Sequence, residues 1–101
     1  FDPARGAWEE LTPLPEPRSS HDACVAGDRV YVVGGWTLGS GEERWLRTAW
    51  TARLGERPLR WEPLVAPSSA RRAAALARHG GALVLVGGMT PEGPTSSVER
   101  L

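Results

Sequence analysis

The residues best suited to bind a ligand are arginines that recur at a fixed distance along the chain. Arg18 and Arg71 are 53 positions apart, and Arg72 follows Arg71 directly. A planar guanidinium forms bidentate hydrogen bonds with carboxylate or phosphate groups. If the two segments are equivalent in the fold, these arginines predict an anion-binding rim. The alternative is structural, with each guanidinium bonding carbonyls of the crossover segment or pairing with a glutamate of the next blade.

His21 lies in a short segment that holds nucleophile, base and acid side chains, Ser19-Ser20-His21-Asp22. Adjacent side chains of a strand point to opposite faces, so these groups cannot converge as a catalytic triad must. His21 is therefore either a structural residue at the start of a strand or a ligand contact. Cys24 is the single cysteine, and no metal-binding spacing or phosphate loop is present. We predict no catalytic residue, no metal site and no cofactor.

A second group of candidate contacts lies in residues 36–47, a segment rich in glycine and charge that predicts a loop. Its Trp36, Arg44 and Trp45 are of the residue types that dominate binding hot spots. The alternative for Trp36 is packing over the glycine pair that precedes it.

The overall charge argues against two classes of partner. The chain has 12 acidic and 12 basic residues, and its net charge is zero. Nucleic acids and anionic membranes attract proteins with an excess of basic residues. A membrane-spanning helix needs a run of about 18 or more apolar residues, and the sequence has none. We therefore expect no nucleic-acid partner and no membrane partner.

An internal repeat organises the chain. The apolar run Val30–Val33 ends in a glycine pair, and Leu83–Val86 does the same 53 positions later. An apolar run without alternation is typical of a strand buried on both faces. A period near 50 residues is typical of propellers and repeat arrays. The landmarks that share the offset, besides the arginines, are Gly34 and Gly87, Gly35 and Gly88, and Trp8 and Trp61.

The repeat resembles the kelch motif, in which an apolar strand ends in Gly-Gly and is followed by an aromatic position and then a tryptophan. Leu54 stands where the family usually has tyrosine, and Trp61 follows seven positions later. Phe1 and Trp8 have the same spacing. The resemblance implies an all-β fold of kelch-like β-propeller blades, each with four antiparallel strands. It makes these residues structural parts of the repeat, with Trp8 and Trp61 in the core.

The resemblance divides the chain into two blades' worth of strands, cut out of phase. Residues 1–11 would be the outer strand of one blade, residues 18–64 a complete blade, and residues 71–101 three strands of a further blade. The alanine-rich residues 71–79 also suit a helix, but the repeat predicts a strand there.

Two blades cannot close a ring, which typically has 4–8 blades. Either the chain is one segment of a longer propeller, or identical chains assemble head to tail. In the second case, the strand at residues 1–11 would complete the open blade of the next chain, and a trimer would give six blades. We expect the trimer.

The resemblance implies a non-catalytic scaffold that binds a protein or peptide. One alternative is a self-assembling or engineered propeller fragment with no ligand. The other is a fragment of a kelch-like enzyme, an oxidase or sugar isomerase. Tyr31 is the single tyrosine and lies in a predicted strand, so the Tyr/Cys/His copper cluster that an oxidase would require is lacking.

Overall fold

The computed structural model describes residues 1–101 as an all-β protein built around two antiparallel sheets. The first sheet, blade one, has the strand order β1-β2-β5-β6 and the second, blade two, the order β11-β8-β7. The strands of blade one are β1 Asp22–Ala26, β2 Arg29–Val33, β5 Ala49–Arg53 and β6 Glu62–Leu64. Those of blade two are β7 Ala75–His79, β8 Ala82–Val86 and β11 Val98–Arg100.

Each blade carries a small hairpin between its second and third main strands. In blade one the hairpin consists of β3 Trp36–Gly39 and β4 Glu42–Trp45, and in blade two of β9 Met89–Thr90 and β10 Gly93–Pro94. The prediction of a loop at residues 36–47 is therefore wrong. The turn residues Ser40 and Gly41 both have positive φ, 53° and 78°, as a two-residue hairpin turn requires.

The hydrophobic core lies between the two blades. Val33 and Leu85 are 1% and 0% exposed and form a buried cluster with Ala49. The apolar runs in β2 and β8 supply this cluster, because each run presents side chains on both faces of its sheet. The residues that pack around it are Leu64, Ala74, Leu76 and Leu101.

The backbone repeats as the sequence does. Ser20 and Ala73, 53 positions apart, both have positive φ, 52° and 51°. An isolated bridge joins Ser19 to Trp36, and the equivalent bridge joins Arg72 to Met89. The alanine-rich segment forms strand β7 rather than a helix, because its five residues pair in register with β8.

The glycine pair of blade one lets blade two approach closely. Gly34 has φ +66°, and a Cβ there would overlap the backbone oxygen of Arg71. The Gly35 amide donates to that same oxygen at 2.7 Å. Gly87 has a similar φ of +61°, but a Cβ there would come no closer than 3.4 Å to any backbone atom.

The first 11 residues form no strand in this structure. A bridge between Asp2 and Ala7 closes a turn, and the rings of Phe1 and Trp8 lie 5.4 Å apart. Phe1 is 63% and Trp8 84% exposed, so the assignment of Trp8 to the core does not hold in the isolated chain. The physical reason is that no neighbouring strand covers this segment.

The other tryptophan of the repeat is better covered. Trp61 is half-buried, and its Nε1 donates to the Thr12 carbonyl at 3.1 Å. Leu54 is also half-buried, and its amide donates to the Asp28 carbonyl at 2.7 Å. None of the elements is a helix of the length and apolarity needed to cross a bilayer.

Candidate binding surface

Arg18 lies inside blade one and is bonded to it through its two terminal nitrogens, while its Nε is buried without a partner. Its side chain is 0% exposed and pairs with Glu16 at 2.8 Å. It also donates to the Gly34 carbonyl at 2.9 Å and to the Thr48 hydroxyl at 2.9 Å. Burial lowers the pKa of Arg18, and the Glu16 carboxylate opposes that shift.

Arg71 is buried and bonded within blade two in the same way. The residue is 1% exposed, and its Nη1 donates to the Ser97 carbonyl at 3.1 Å. Its Nη2 donates to the Ser97 hydroxyl at 2.9 Å and to Glu99 at 3.3 Å. A buried guanidinium is tolerated when such partners neutralise and bond it. Both arginines have structural contacts, but not the ones expected: the carbonyls do not belong to the crossover segments, and neither glutamate belongs to the next blade. The arginines instead tie the glycine-pair strand of a blade to its next strand.

Arg72, the neighbour of Arg71, has a different environment. Its Cζ lies 4.7 Å from the ring centroid of Trp36 and 4.7 Å from that of Trp45. A guanidinium this close to an aromatic face is attracted by the quadrupole of the ring. The structure therefore joins three of the residues that the sequence singled out, and we call Trp36, Trp45 and Arg72 the Arg–Trp cluster.

Backbone hydrogen bonds position all three members of the cluster. Trp36 and Trp45 are direct cross-strand partners in the β3–β4 hairpin, so their side chains lie on one face of it. The hairpin is held by the Trp36 amide, which donates to the Ser19 carbonyl at 3.0 Å, and by the Leu46 amide, which donates to Gly35 at 2.9 Å. The backbone of Arg72 is fixed by a hydrogen bond that its amide donates to the Met89 carbonyl, also at 3.0 Å.

Arg44 belongs to the same hairpin, but its charge is partly used within the chain. It is an exposed side chain that pairs with Glu16 at 3.2 Å. Glu16 thus bridges the hairpin and the buried Arg18. An exposed ion pair of this kind contributes little stability, so its main effect is to orient the hairpin against blade one.

His21 lies near the junction of the two blades. It is exposed, and its Cβ lies close to Gly35, where an added Cβ would meet it at 3.0 Å. The next residue, Asp22, accepts a hydrogen bond from the Ala74 amide at 3.1 Å and so links blade one to blade two. Burial raises the pKa of Asp22, while the Ala74 hydrogen bond and the nearby His21 oppose the shift.

Sequence reasoning missed one contact between the blades. Arg78 donates to the Tyr31 hydroxyl, and its Cζ lies 5.2 Å from the Tyr31 ring centroid. Both residues line a cleft of about 150 Å³ with Leu64 and Leu83. No sequence signal could have paired them, because they lie 47 positions apart and at different repeat positions. Burial also raises the pKa of the nearby Cys24 thiol.

The chain brings no three His, Cys, Asp or Glu side chains close enough together to share a metal ion. The acidic groups described above instead pair with arginines or backbone amides.

The comparisons with known proteins agree on the type of repeat. The family model described as "Kelch motif" matches residues 17–50. Kelch-like protein 1 of Mus musculus is 42% identical over 36 residues, which cover 36% of this chain and 5% of that protein. Kelch-like protein 4 of Homo sapiens gives the same values. The chain thus matches only a small part of the length of these relatives.

A solved structure extends the likeness to nearly the whole chain. "Structure of YjhT" superimposes with a TM-score of 0.68 at 25% identity. The match covers 89% of this chain and 26% of that one, so it takes in both blades rather than one. With the glycine pairs, the buried arginines and the four-stranded antiparallel blade, these findings show that the chain has the fold of kelch-type β-propeller blades.

Proposed function

We propose that the chain is a non-catalytic scaffold that binds a protein or peptide on the β3–β4 hairpin side and assembles head to tail with copies of itself. The kelch propeller fold supports a protein-binding scaffold in general. A closed ring of three chains would have six blades, within the typical range of about 4–8.

The observation that carries the assembly is a difference between equivalent positions of the two blades. Val33 and Ala49 of blade one are 1% and 2% exposed. Their equivalents in blade two, Val86 and Val98, are 43% and 63% exposed. Blade two covers the first pair, whereas nothing covers the second. A neighbouring blade in a ring would cover this second pair as blade two covers the first.

Contacts between the N-terminal segment and blade one support this assembly. Glu9 pairs with Arg57 of blade one at 3.0 Å, and the Trp61 indole bonds the Thr12 carbonyl. The Arg57 guanidinium lowers the pKa of Glu9 through a hydrogen bond and its charge. The segment is therefore held beside blade one, and in the assembly that we propose the other strands of its blade come from another copy.

The repeat predicts how the two copies would pair. In blade one, β6 pairs with β5 through Leu64 and Ala49. Because Val33 pairs with Ala49 and Val86 with Val98, Val98 is the equivalent of Ala49. Leu11 is the equivalent of Leu64, so Leu11 of one copy would lie opposite Val98 of the next.

The same register sets the charges along the exchanged strand. Glu9 would lie opposite Arg100 of the next copy, a favourable cross-strand pair. Glu10 would lie opposite Glu99, but Glu99 is already engaged by Arg71 and by the Ser68 hydroxyl at 2.9 Å. Those partners reduce the repulsion that two facing carboxylates would otherwise have.

The test of assembly is the solution mass, measured by light scattering on a size-exclusion column. We expect about three times the 10.9 kDa of one chain. A chain lacking residues 1–11 should be monomeric, because it has no strand to donate. The matched control replaces Arg5 by alanine in the full chain, since Arg5 lies in the turn outside the pairing register, and it should assemble normally. A monomeric full chain, or a truncated chain that forms the same oligomer, would contradict the assembly.

The test of binding is a selection of peptides from a displayed random library against the full chain. We expect the selected peptides to bind Trp45→Ala at least about tenfold more weakly, as for a hot-spot tryptophan. Arg60→Ala is the control, because Arg60 is exposed in the segment between β5 and β6. Peptides that bind both variants equally well would remove the hairpin from the binding surface.

A further inference from the structure

We propose that the Arg–Trp cluster is a carboxylate-binding site that recognises an acidic side chain of a peptide. The proposal rests on the proposed peptide-binding function and names the chemistry of its ligand. The cluster lies within one chain, so the site would be present whether or not the chains form a ring.

The first argument is that the hydrogen-bonding capacity of Arg72 is unused. Its guanidinium contacts the two tryptophan rings but forms no hydrogen bond or ion pair within the chain. Contacts with aromatic rings involve the charge of a guanidinium and leave its five N–H donors free. The guanidinium nitrogens of Arg72 are also accessible to solvent, whereas Nε of Arg18 and Nε of Arg71 are buried without a partner.

The second argument is that the cluster is pre-organised. Arg72 is half-buried between blade two and the hairpin, and its side chain is held against two rings that are themselves fixed by backbone pairing. A side chain that is already ordered loses little conformational entropy on binding. A free surface arginine would lose considerably more.

The positive charge of Arg72 has no counter-ion within the chain. No carboxylate lies within ion-pair distance of Arg72, and Glu16, which contacts the hairpin at Arg44, is engaged by Arg18 and Arg44. The charge of Arg72 is therefore not neutralised within the chain. A planar guanidinium fits a carboxylate through two parallel hydrogen bonds, while the two indoles offer apolar surface to the rest of a peptide.

The balanced composition of the chain favours a carboxylate over a nucleic-acid phosphate. With 12 basic and 12 acidic residues the protein has no extended positive field, and polyphosphate binding depends on such a field. The cluster also occurs once per chain, because the position equivalent to Trp36 is Met89 and the position equivalent to Arg72 is Ser19.

The experiment follows the Arg72 Nε–H signal in an arginine-selective ¹⁵N NMR spectrum of the full chain. The probe is an N-acetylated, C-amidated hexapeptide with one glutamate and one tryptophan among glycine and serine. The comparison ligands are the same peptide with glutamine and inorganic phosphate. We expect a saturable shift of the Arg72 signal, with at least about tenfold weaker binding of the glutamine peptide.

Two variants separate recognition from structure. Arg72→Ala should weaken binding of the glutamate peptide about tenfold or more, and Arg72→Lys by a smaller factor, because a lysine keeps the charge but not the planar fork. Arg60→Ala should bind as the wild type. Equal binding of the two peptides, saturation by phosphate alone, or unchanged binding by Arg72→Ala would each overturn the proposal.

These outcomes are distinguishable from failure of the proposed function. If peptides selected from the library bind through Trp45 without needing Arg72 or an acidic residue, the binding scaffold stands and the carboxylate assignment fails. If no library peptide binds at all, the peptide-binding function itself fails.

Discussion

Blade one and blade two have the same repeat but different surroundings. Blade one has four strands, and blade two covers one of its faces, so Val33 and Ala49 are almost fully buried. Blade two has three strands, and the equivalent face with Val86 and Val98 is exposed. Similar sequence positions thus acquire different burial because only one of the two blades has a following neighbour.

The difference teaches which repeat residues act within a blade and which act between blades. Arg18 and Arg71 are equally buried in their two blades, because their partners belong to the same blade. Gly34 and Gly87 have similar backbone conformations, but only Gly34 faces the backbone of a neighbouring blade. Substitutions at equivalent positions can therefore test whether blade two acquires a neighbour in solution.

The largest expected difference in the loss of unfolding free energy is between Gly34→Ala and Gly87→Ala. Both place a Cβ at positive φ, which costs about 1–2 kcal/mol. At Gly34 the Cβ also overlaps the Arg71 carbonyl oxygen, and forced overpacking adds about 1–3 kcal/mol. Urea unfolding of dilute, monomeric protein should show the larger loss of unfolding free energy for Gly34→Ala.

The same pair also tests the ring. In a ring, Gly87 would face Arg18 of the copy that donates the exchanged strand, as Gly34 faces Arg71, so Gly87→Ala should abolish assembly while leaving the dilute monomer folded. Equal losses for both variants in the dilute monomer would show that the neighbouring blade is not the cause.

A smaller difference is expected between Val33→Ala and Val86→Ala. Removing two methyl groups from the buried Val33 should cost about 2 kcal/mol. Val86 is 43% exposed, so its substitution should cost less than about 1 kcal/mol in the isolated chain. If copies assemble, the loss of unfolding free energy for Val86→Ala, measured at high protein concentration, should approach that for Val33→Ala. A cost at Val86 that does not change with protein concentration would argue against a covering partner there.

The smallest effect is expected at the contact between Asp22 and the Ala74 amide. The pKa of Asp22 in the folded chain is raised above its ordinary value of 3.8, so the folded state holds this proton more tightly than the unfolded state. The contribution of Asp22 to stability is therefore highest below pH 3.8 and falls as the pH rises through the raised pKa.

Asp22→Asn keeps an acceptor for the Ala74 amide but removes the charge. At pH 7 its unfolding free energy should equal or exceed that of the wild type, because the variant has no buried carboxylate to ionise. At pH 3.5 or below the two proteins should converge. A variant less stable than the wild type at pH 7 would mean that the charged carboxylate strengthens the blade junction. Ala75, the equivalent of Asp22, has no carboxylate, so a junction between copies would lack this hydrogen bond.

The amino-acid sequence was sufficient to identify the kelch repeat and most of the strands. Glycine pairs, uninterrupted apolar runs and a constant offset are local or periodic signals, and a repeated unit must fold repeatedly in the same way. The alanine-rich strand β7 was predicted correctly because the repeat outweighed helix propensity, and pairing with β8 is the physical reason.

Tertiary structure alone decided the environment of the individual side chains. Arg71 and Arg72 are neighbours in sequence, yet one is buried among Ser97 and Glu99 and the other lies against two tryptophans. The hairpin that carries those tryptophans was predicted as a loop, because its strands are short and polar. Trp8 matches Trp61 in sequence but is 84% exposed, since burial depends on which strands lie beside a residue and not on its own type.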